Sequence, residues 1–292
     1  MKNTFFKKVA ALLLIPAFSC ASLLPAPSVA EESGDFSIEE IVEEVDLDAL
    51  AYDDVYWSFP VALEDMNPEY IILANKHYLL DKSYVPEDLV KVPRDPAKGG
   101  IKWAVSGSDG KLKGQYLREE CAQALCDMNA AMREQDGFRT MYLKSGYRSY
   151  VKQNTMYKNR LAKHNGKDDG WVSMPGASDH QTGLGCDVVP SNWKDRGMND
   201  KMMQEPECQW MAAHCQEYGF IIRYPADKKE YTEINTEPWH LRYVGIPAAT
   251  YIMENGLCLE EFTAQLQEAV QAFLEAGGNP ELVKPFIQEP NA

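Results

Sequence analysis

The sequence contains no CxxC pair, only five histidines in 292 residues, no apolar run long enough to cross a bilayer, and not one Lys or Arg from Glu31 to Asn75. Without CxxC spacing a cysteine-built zinc site is not expected. The longest apolar run, Val9 to Phe18, is broken by Pro16 and falls short of the roughly 20 residues a spanning helix needs. The stretch free of basic residues is dense in acids (Glu39, Glu40, Glu43, Glu44, Asp46, Asp48, Asp53, Asp54) and reads as a solvated spacer, with room for one short helix near 38–45. Basic residues are scarce overall: 29 Lys and Arg against 44 Asp and Glu give a formal charge of −15. A surface of that sign repels nucleic acid and anionic lipid, so neither is expected as a partner. No internal repeat is visible.

What the N-terminus does contain is an export signal. Lys2, Lys7 and Lys8 form a basic region, the apolar run follows, and Ser28-Val29-Ala30 is a small-x-small cleavage site before Glu31. Cleavage is expected in preference to a retained N-terminal anchor. It is also preferred to lipidation at Cys20, because Ala17-Phe18-Ser19 lacks the leucine usual before a lipidated cysteine. Removing residues 1–30 leaves 26 basic and 44 acidic residues, a charge of −18. The remaining chain of about 260 residues suits one large domain with flanks. Its six cysteines, Cys121, Cys126, Cys186, Cys208, Cys215 and Cys258, permit disulfides by their even number. Cys121 and Cys126 diverge on one expected helix and should not bond each other. Disulfide pairing and oligomeric state are not specified.

Periodicity predicts interleaved helices and short strands. Tyr70 to Leu73 reads as a strand. Tyr116 to Arg133 reads as the strongest helix, with Leu117, Cys121, Leu125, Met128 and Met132 on one face, and Gly137 ends it. Met141 to Lys144 is a strand, and Ser149 caps a helix to about Lys163 whose inner side carries Tyr150, Tyr157 and Leu161. A helix over about 203–217 stops before Gly219. Phe220-Ile221-Ile222 and Trp239 to Val244 are strands, Ile246-Pro247 opens a helix, and Glu260 to Ala276 is amphipathic. The strands are too short for a doubly wound sheet, so the fold class is α+β: a small mixed or antiparallel sheet covered by helices.

Two of the five histidines fall in two chemically dense segments, 175–187 and 237–240. His180, Asp187 and His240 supply two imidazoles and a carboxylate, a three-ligand zinc set that leaves one coordination position for a water. Glu237, three residues before a ligand, then serves as general base. In a regular strand residues 237 and 240 face opposite sides, so Glu237 is expected in a loop or bulge just ahead of the strand that carries His240. Arg148, in Ser145-Gly146-Tyr147-Arg148-Ser149-Tyr150 with Gln153 one turn on, offers a planar fork for a carboxylate or oxyanion; an ordinary surface ion pair is the competing role. Ser178 could bind substrate, orient a ligand or cap a turn.

In that order, Ser-Gly-Tyr-Arg-Ser, Ser-x-His-x6-Asp and Glu-x-x-His resemble the VanY-type D-alanyl-D-alanine carboxypeptidases. These belong to the metallopeptidase group that includes lysostaphin-type enzymes and the hedgehog signalling domain. The resemblance runs from about Tyr70 to Glu260 and takes in Tyr84-Val85-Pro86, Phe220 to Pro225 and Glu237 to Gly245. It implies a hedgehog/D,D-peptidase-like single domain with one zinc per chain on His180, Asp187 and His240. Glu237 would be the base, Arg148 would stabilise substrate and transition state, and Ser178, Tyr147, Gln153 and Arg148 would bind substrate. Two departures stand out: Cys186 directly before Asp187, and Ser173-Met174 before Pro175.

The expected layout is therefore signal peptide (1–30), acidic spacer (31–65), zinc carboxypeptidase domain (66–260) and C-terminal helical extension (261–292). The expected activity is removal of the terminal D-alanine from peptidoglycan stem peptides outside the cytoplasm or in the cell envelope, with no transmembrane domain in the mature chain. Alternatives are an L,D-carboxypeptidase acting on tetrapeptide stems, a VanX-type dipeptidase, and a non-catalytic zinc-containing wall-binding module. Retention of Glu237 favours catalysis over the last.

Overall fold

The computed structural model describes residues 57–291. The expected signal peptide, spacer residues 31–56 and the short helix near 38–45 lie outside the described residues. Nine short strands follow in chain order: β1 Leu89–Lys91, β2 Lys102–Trp103, β3 Ser108–Asp109, β4 Leu112–Lys113, β5 Tyr116–Arg118, β6 Tyr142–Ser145, β7 Gly185–Val189, β8 Phe220–Tyr224 and β9 Glu237–Tyr243. The longer helices are α1 Glu119–Arg133, α2 Tyr150–Lys163, α3 Pro206–His214, α4 Ile246–Glu254 and α5 Leu259–Glu275. Five strands form the central sheet in the order β2-β6-β7-β9-β8, parallel between β2 and β6 and antiparallel elsewhere. The mixed sheet with helical cover is the α+β architecture that the sequence implied. No helix among the described residues is long and apolar enough to cross a membrane.

Alternation along the strands divides the sheet into an apolar face and a polar one. Cys186 pairs with Leu241 across β7 and β9, and both are fully buried in a core shared with Leu117, Leu125, Met128 and Met132. Their neighbours Asp187 and His240 also pair, and by the two-residue period they point to the opposite face. Cys186 therefore packs away from Asp187's side of the strand and does not disturb it. The six cysteines among the described residues are free and buried.

Several expectations are corrected by tertiary pairing. Tyr116 to Arg118 is a strand and not the first turn of α1, because it pairs with β1 in the register Leu89↔Arg118. Leu117 still points into the core, which is why it seemed to belong to the helical stripe. α1 ends at Arg133, as expected. Tyr70 to Leu73 is not a strand: Tyr70 closes a turn through its N–H on the Asn67 carbonyl and Ile71 lies in a bend; the carbonyls of Tyr70 and Ile72 accept from Arg242, at 3.0 and 2.6 Å, and Leu73 N–H donates to Gln288. α2 is capped by Ser149 as expected, yet its buried residue is the polar Gln153, while Tyr150, Tyr157 and Leu161 are only partly covered. The expected helix over 203–217 is α3 flanked by two 3-10 turns.

The expected boundaries at 65 and 260 do not match the packing. Phe59, Val61 and Met66 share a second core with Ile221, Phe262, Leu266, Val270, Phe273, Val283 and Phe286. The rings of Phe59 and Phe262 meet edge to face at 5.5 Å. The helix begun at Leu259 runs straight through residue 260. Truncating the chain after Glu260 would remove six buried apolar side chains, each contributing about 1.5–3 kcal/mol. That total is comparable with a whole domain's margin of about 5–15 kcal/mol. The truncated protein should lack a cooperative thermal transition; a melt matching that of the full chain would show residues 261–292 to be a separable extension.

Candidate active site

Asp187 and His240 are direct cross-strand partners, which brings His240 Nδ1 to 3.0 Å from Asp187 Oδ1. His180 comes from the 3-10 turn Asp179–Thr182 that precedes β7, and its Nε2 lies 3.4 Å from Asp187 Oδ2. Two bonds of opposite direction tie this turn to the segment after β6. His180 Nδ1 donates to the Gly146 carbonyl at 2.8 Å, and Arg148 N–H donates to the His180 carbonyl at 3.0 Å. With Nδ1 committed, the lone pair of His180 Nε2 faces Asp187. One ligand atom from each of His180, Asp187 and His240 lies within 4.8 Å of the others, and all three residues are buried. Two converging imidazoles and a carboxylate suit a divalent ion of borderline softness, and zinc fits that donor set.

Burial, reinforced by the charge of Arg148, holds His180 down to about 4 despite Asp187, so it is a neutral ligand at pH 7. Burial also acts against protonation of His240, but the carboxylates of Asp179 and Asp187 outweigh it and raise the group to about 9. The proton thus occupies a position that a metal would claim. Asp187 is held well below the usual carboxylate range: burial opposes ionisation, but the two histidines overcome it. Glu237 stands apart, with Oε2 3.7 Å from His240 Nδ1. Burial pushes its carboxyl up to about 8; His240 and Arg148 moderate the rise and Asp187 adds to it. A cation beside it would bring it back toward a base that works near neutrality.

Glu237, expected in a loop or bulge just ahead of the strand, is instead the first residue of a continuous β9, and the irregularity lies within the pairing of that strand. The reconciliation lies in the register: Ile222 pairs with Leu241, whereas Tyr224 pairs with Glu237, so β9 carries extra residues between the two pairs. That slip breaks the alternation, and both Glu237 and His240 line the same cleft. A second irregularity falls between Leu143 and Ser145, where β6 meets Asp187.

The cleft has a volume of about 430 Å³. Arg148 lines it with no carboxylate in ion-pair contact among the described residues; its Nη1 donates to Gln153 Oε1 at 2.7 Å and its Nη2 to Ser145 Oγ at 3.0 Å. It is not the surface ion pair that the sequence left open. Burial lowers its pKa, while Asp187 and Glu237 across the cleft sustain the charge. Gln153 lines the cleft as expected, but both ends of its amide are used, on Arg148 and on the Ser173 carbonyl at 2.5 Å. Ser178 is buried at the cleft wall and its hydroxyl does not cap the turn, which removes one of its three possible roles. Tyr147, expected to bind substrate, is not among the lining residues; it is buried elsewhere, with its N–H on the Tyr116 carbonyl at 2.7 Å.

Sequence reasoning missed Tyr224, Trp171 and Trp239, which also line the cleft, the two indoles stacked 6.4 Å apart and within 6° of parallel. It also missed the fully buried set of Asp179, Arg223 and Arg242 behind the site. Arginines inside apolar strands, as in Phe220-Ile221-Ile222-Arg223 and Trp239-His240-Leu241-Arg242, were the available signal, since a buried guanidinium requires a partner.

A family model described as D-alanyl-D-alanine carboxypeptidase, VanY, matches residues 114–246. The chain is 37% identical over 204 residues to the putative carboxypeptidase YodJ of Bacillus subtilis (strain 168), covering 69% of this chain and 70% of that protein. It is 32% identical over 213 residues to VanXYC of Enterococcus gallinarum, a bifunctional D-Ala-D-Ala dipeptidase and carboxypeptidase, covering 69% of this chain and 97% of that one. The solved structure of the LdcB LD-carboxypeptidase is 37% identical with a TM-score of 0.58, covering 67% of this chain and 86% of that one.

His180→Ala and His240→Ala should each empty the metal position, because two remaining ligands do not hold a catalytic zinc tightly. Metal analysis should find one zinc per parent chain and close to none in either variant. Full occupancy in both would rule out the ligand set.

Proposed function

This chain belongs to the VanY family of D-alanyl-D-alanine carboxypeptidases, and from that membership we propose that it removes the C-terminal D-alanine of peptidoglycan stem peptides with one zinc ion held by His180, Asp187 and His240. The observation that carries the reading is the convergence of these three buried ligands with Glu237 and an unpaired Arg148 on one cleft. The ion, when bound, polarises the scissile carbonyl and makes a water acidic enough to ionise near neutral pH.

The chain's own groups do the rest. Glu237 accepts the proton of the attacking water and returns it to the leaving amine. Arg148, its fork aimed by Gln153 and Ser145, donates to the terminal carboxylate of the substrate and to the oxyanion as it forms. The Ser178 hydroxyl, free of any capping role, faces the substrate from the cleft wall. Export fits this substrate: the signal-like residues 1–30 would deliver the enzyme to the cell wall. The likeness to an LD-carboxypeptidase makes cleavage of tetrapeptide stems the second reading. Mass spectrometry of pentapeptide and tetrapeptide muropeptides after incubation separates the two by which loses one D-Ala.

Glu237→Gln should retain zinc and lose turnover, the fall appearing in kcat, because the amide cannot accept the water's proton. Near-normal kcat in the zinc-loaded variant would remove Glu237 from the role of base.

Recognition of a free carboxylate makes the enzyme exo-acting. Amidating the C-terminus of a model pentapeptide should suppress cleavage strongly, and Arg148→Lys should lower the rate on the free peptide by about 10²–10³, since an ammonium cannot reproduce a planar two-point contact. Equal cleavage of amidated and free peptides would indicate an endopeptidase instead.

A further inference from the structure

An imidazole that offers Nδ1 to a metal carries its proton on Nε2, and that N–H needs an acceptor. His240 Nε2 is buried and has no partner within hydrogen-bond distance among the described residues. The carboxylate that faces it is Asp179, with Oδ2 3.8 Å away. Asp179 is fully buried and is held from its far side, with Arg242 Nη1 donating to Oδ1 at 2.8 Å and Arg223 Nε donating to Oδ2 at 3.1 Å. The other two nitrogens of Arg223 are taken by Glu260, the second residue of α5, at 2.7 and 2.6 Å. With its Nη atoms so occupied, Arg223 gives Asp179 only Nε, and Oδ2 keeps acceptor capacity toward His240.

The backbone leaves room for this approach at one position. A Cβ at Gly185 would stand 2.9 Å from Asp179 Cβ and 3.1 Å from His240 Nε2, wedged between the two residues. Gly185 opens β7 directly opposite Arg242, so the gap is built into the same strand pairing that joins Asp187 to His240.

We infer that Asp179, clamped by Arg223 and Arg242 and tied through Glu260 to α5, is a positioning residue that holds the Nε2-protonated tautomer of His240 and so sets the affinity of the site for zinc. The inference rests on the metal set proposed above. It assigns work to a helix outside the stretch matched by the family model.

The test begins with the parent full chain, zinc-loaded and labelled with ¹⁵N in its histidine rings. A long-range ¹H–¹⁵N correlation spectrum should show His240 Nε2 protonated and Nδ1 as the metal-bearing nitrogen; the reverse assignment would overturn the inference. Zinc affinity is then measured by chelator competition in Asp179→Asn and Gly185→Ala, each first checked for a parent-like circular dichroism spectrum. Both should bind zinc about 10–100-fold more weakly. Parent-like affinity in a folded Asp179→Asn would reduce Asp179 to a structural ion pair, which lowers stability without moving the dissociation constant. Should Asp179→Asn fail to fold, Gly185→Ala carries the affinity arm, and parent-like affinity there would count against the inference. Failure of the underlying reading has a separate signature, a parent chain that binds no zinc or a His180→Ala protein that binds it fully, and the inference falls with it.

Discussion

Asp187 and His240 face each other across two antiparallel strands, and the arrangement of the cleft follows from that one pairing. Directly opposed residues on such strands hold their Cβ atoms about 4.5–5.5 Å apart, close enough for a carboxylate and an imidazole to share an ion. A slip of one residue would send Asp187 into the apolar core and bring Cys186 to the cleft. The core side opposes such a slip, since Cys186, Val188, Leu241 and Tyr243 are all buried there. Hydrophobic packing on one face of the sheet thus holds Asp187 and His240, the proposed metal ligands, in register on the other.

The polar face concentrates charge where solvent is scarce. Asp179, Arg223 and Arg242 are almost completely removed from water, and each has hydrogen-bonded partners of opposite sign. Removing one member of such a group costs far more than the group contributes as a whole, because it strands a buried charge. Arg148 is the exception: its hydrogen bonds are to an amide and a hydroxyl and no carboxylate among the described residues is in contact, which is what the proposed recognition of a substrate carboxylate needs. Stability and function separate along this line, with paired charges behind the metal set and an unpaired one in front of it.

Much of this was legible in the residues. His180, Asp187, Glu237 and His240 could be picked out because histidine is rare in the chain and the four cluster in two short segments. The helix capped by Ser149, the strand at Phe220 and the proline-led start of α4 followed from capping chemistry and from hydrophobic period. Less legible was whatever depended on a distant partner. Leu117 satisfies a helical stripe and a strand equally well, and only its pairing with Val90 decides between them. Tyr147 and Arg148 are adjacent in a motif that reads as one binding unit, yet successive residues of an extended segment diverge, and only Arg148 reaches the cleft.

By itself the sequence determined which chemistry was available: two imidazoles, two carboxylates and an arginine fork, all of which are properties of individual side chains and their local spacing. Tertiary structure decided which of those groups meet. The register slip in β9 turns Glu237 toward the cleft although the strand is continuous. The second core draws Phe59 at one end and Phe286 at the other into the domain, because neither segment can bury its apolar face alone. Asp179 faces His240 at 3.8 Å beside Gly185 of β7, and an acid on α5 occupies the fork of Arg223 behind it. Such contacts join residues far apart along the chain, and no local pattern encodes them.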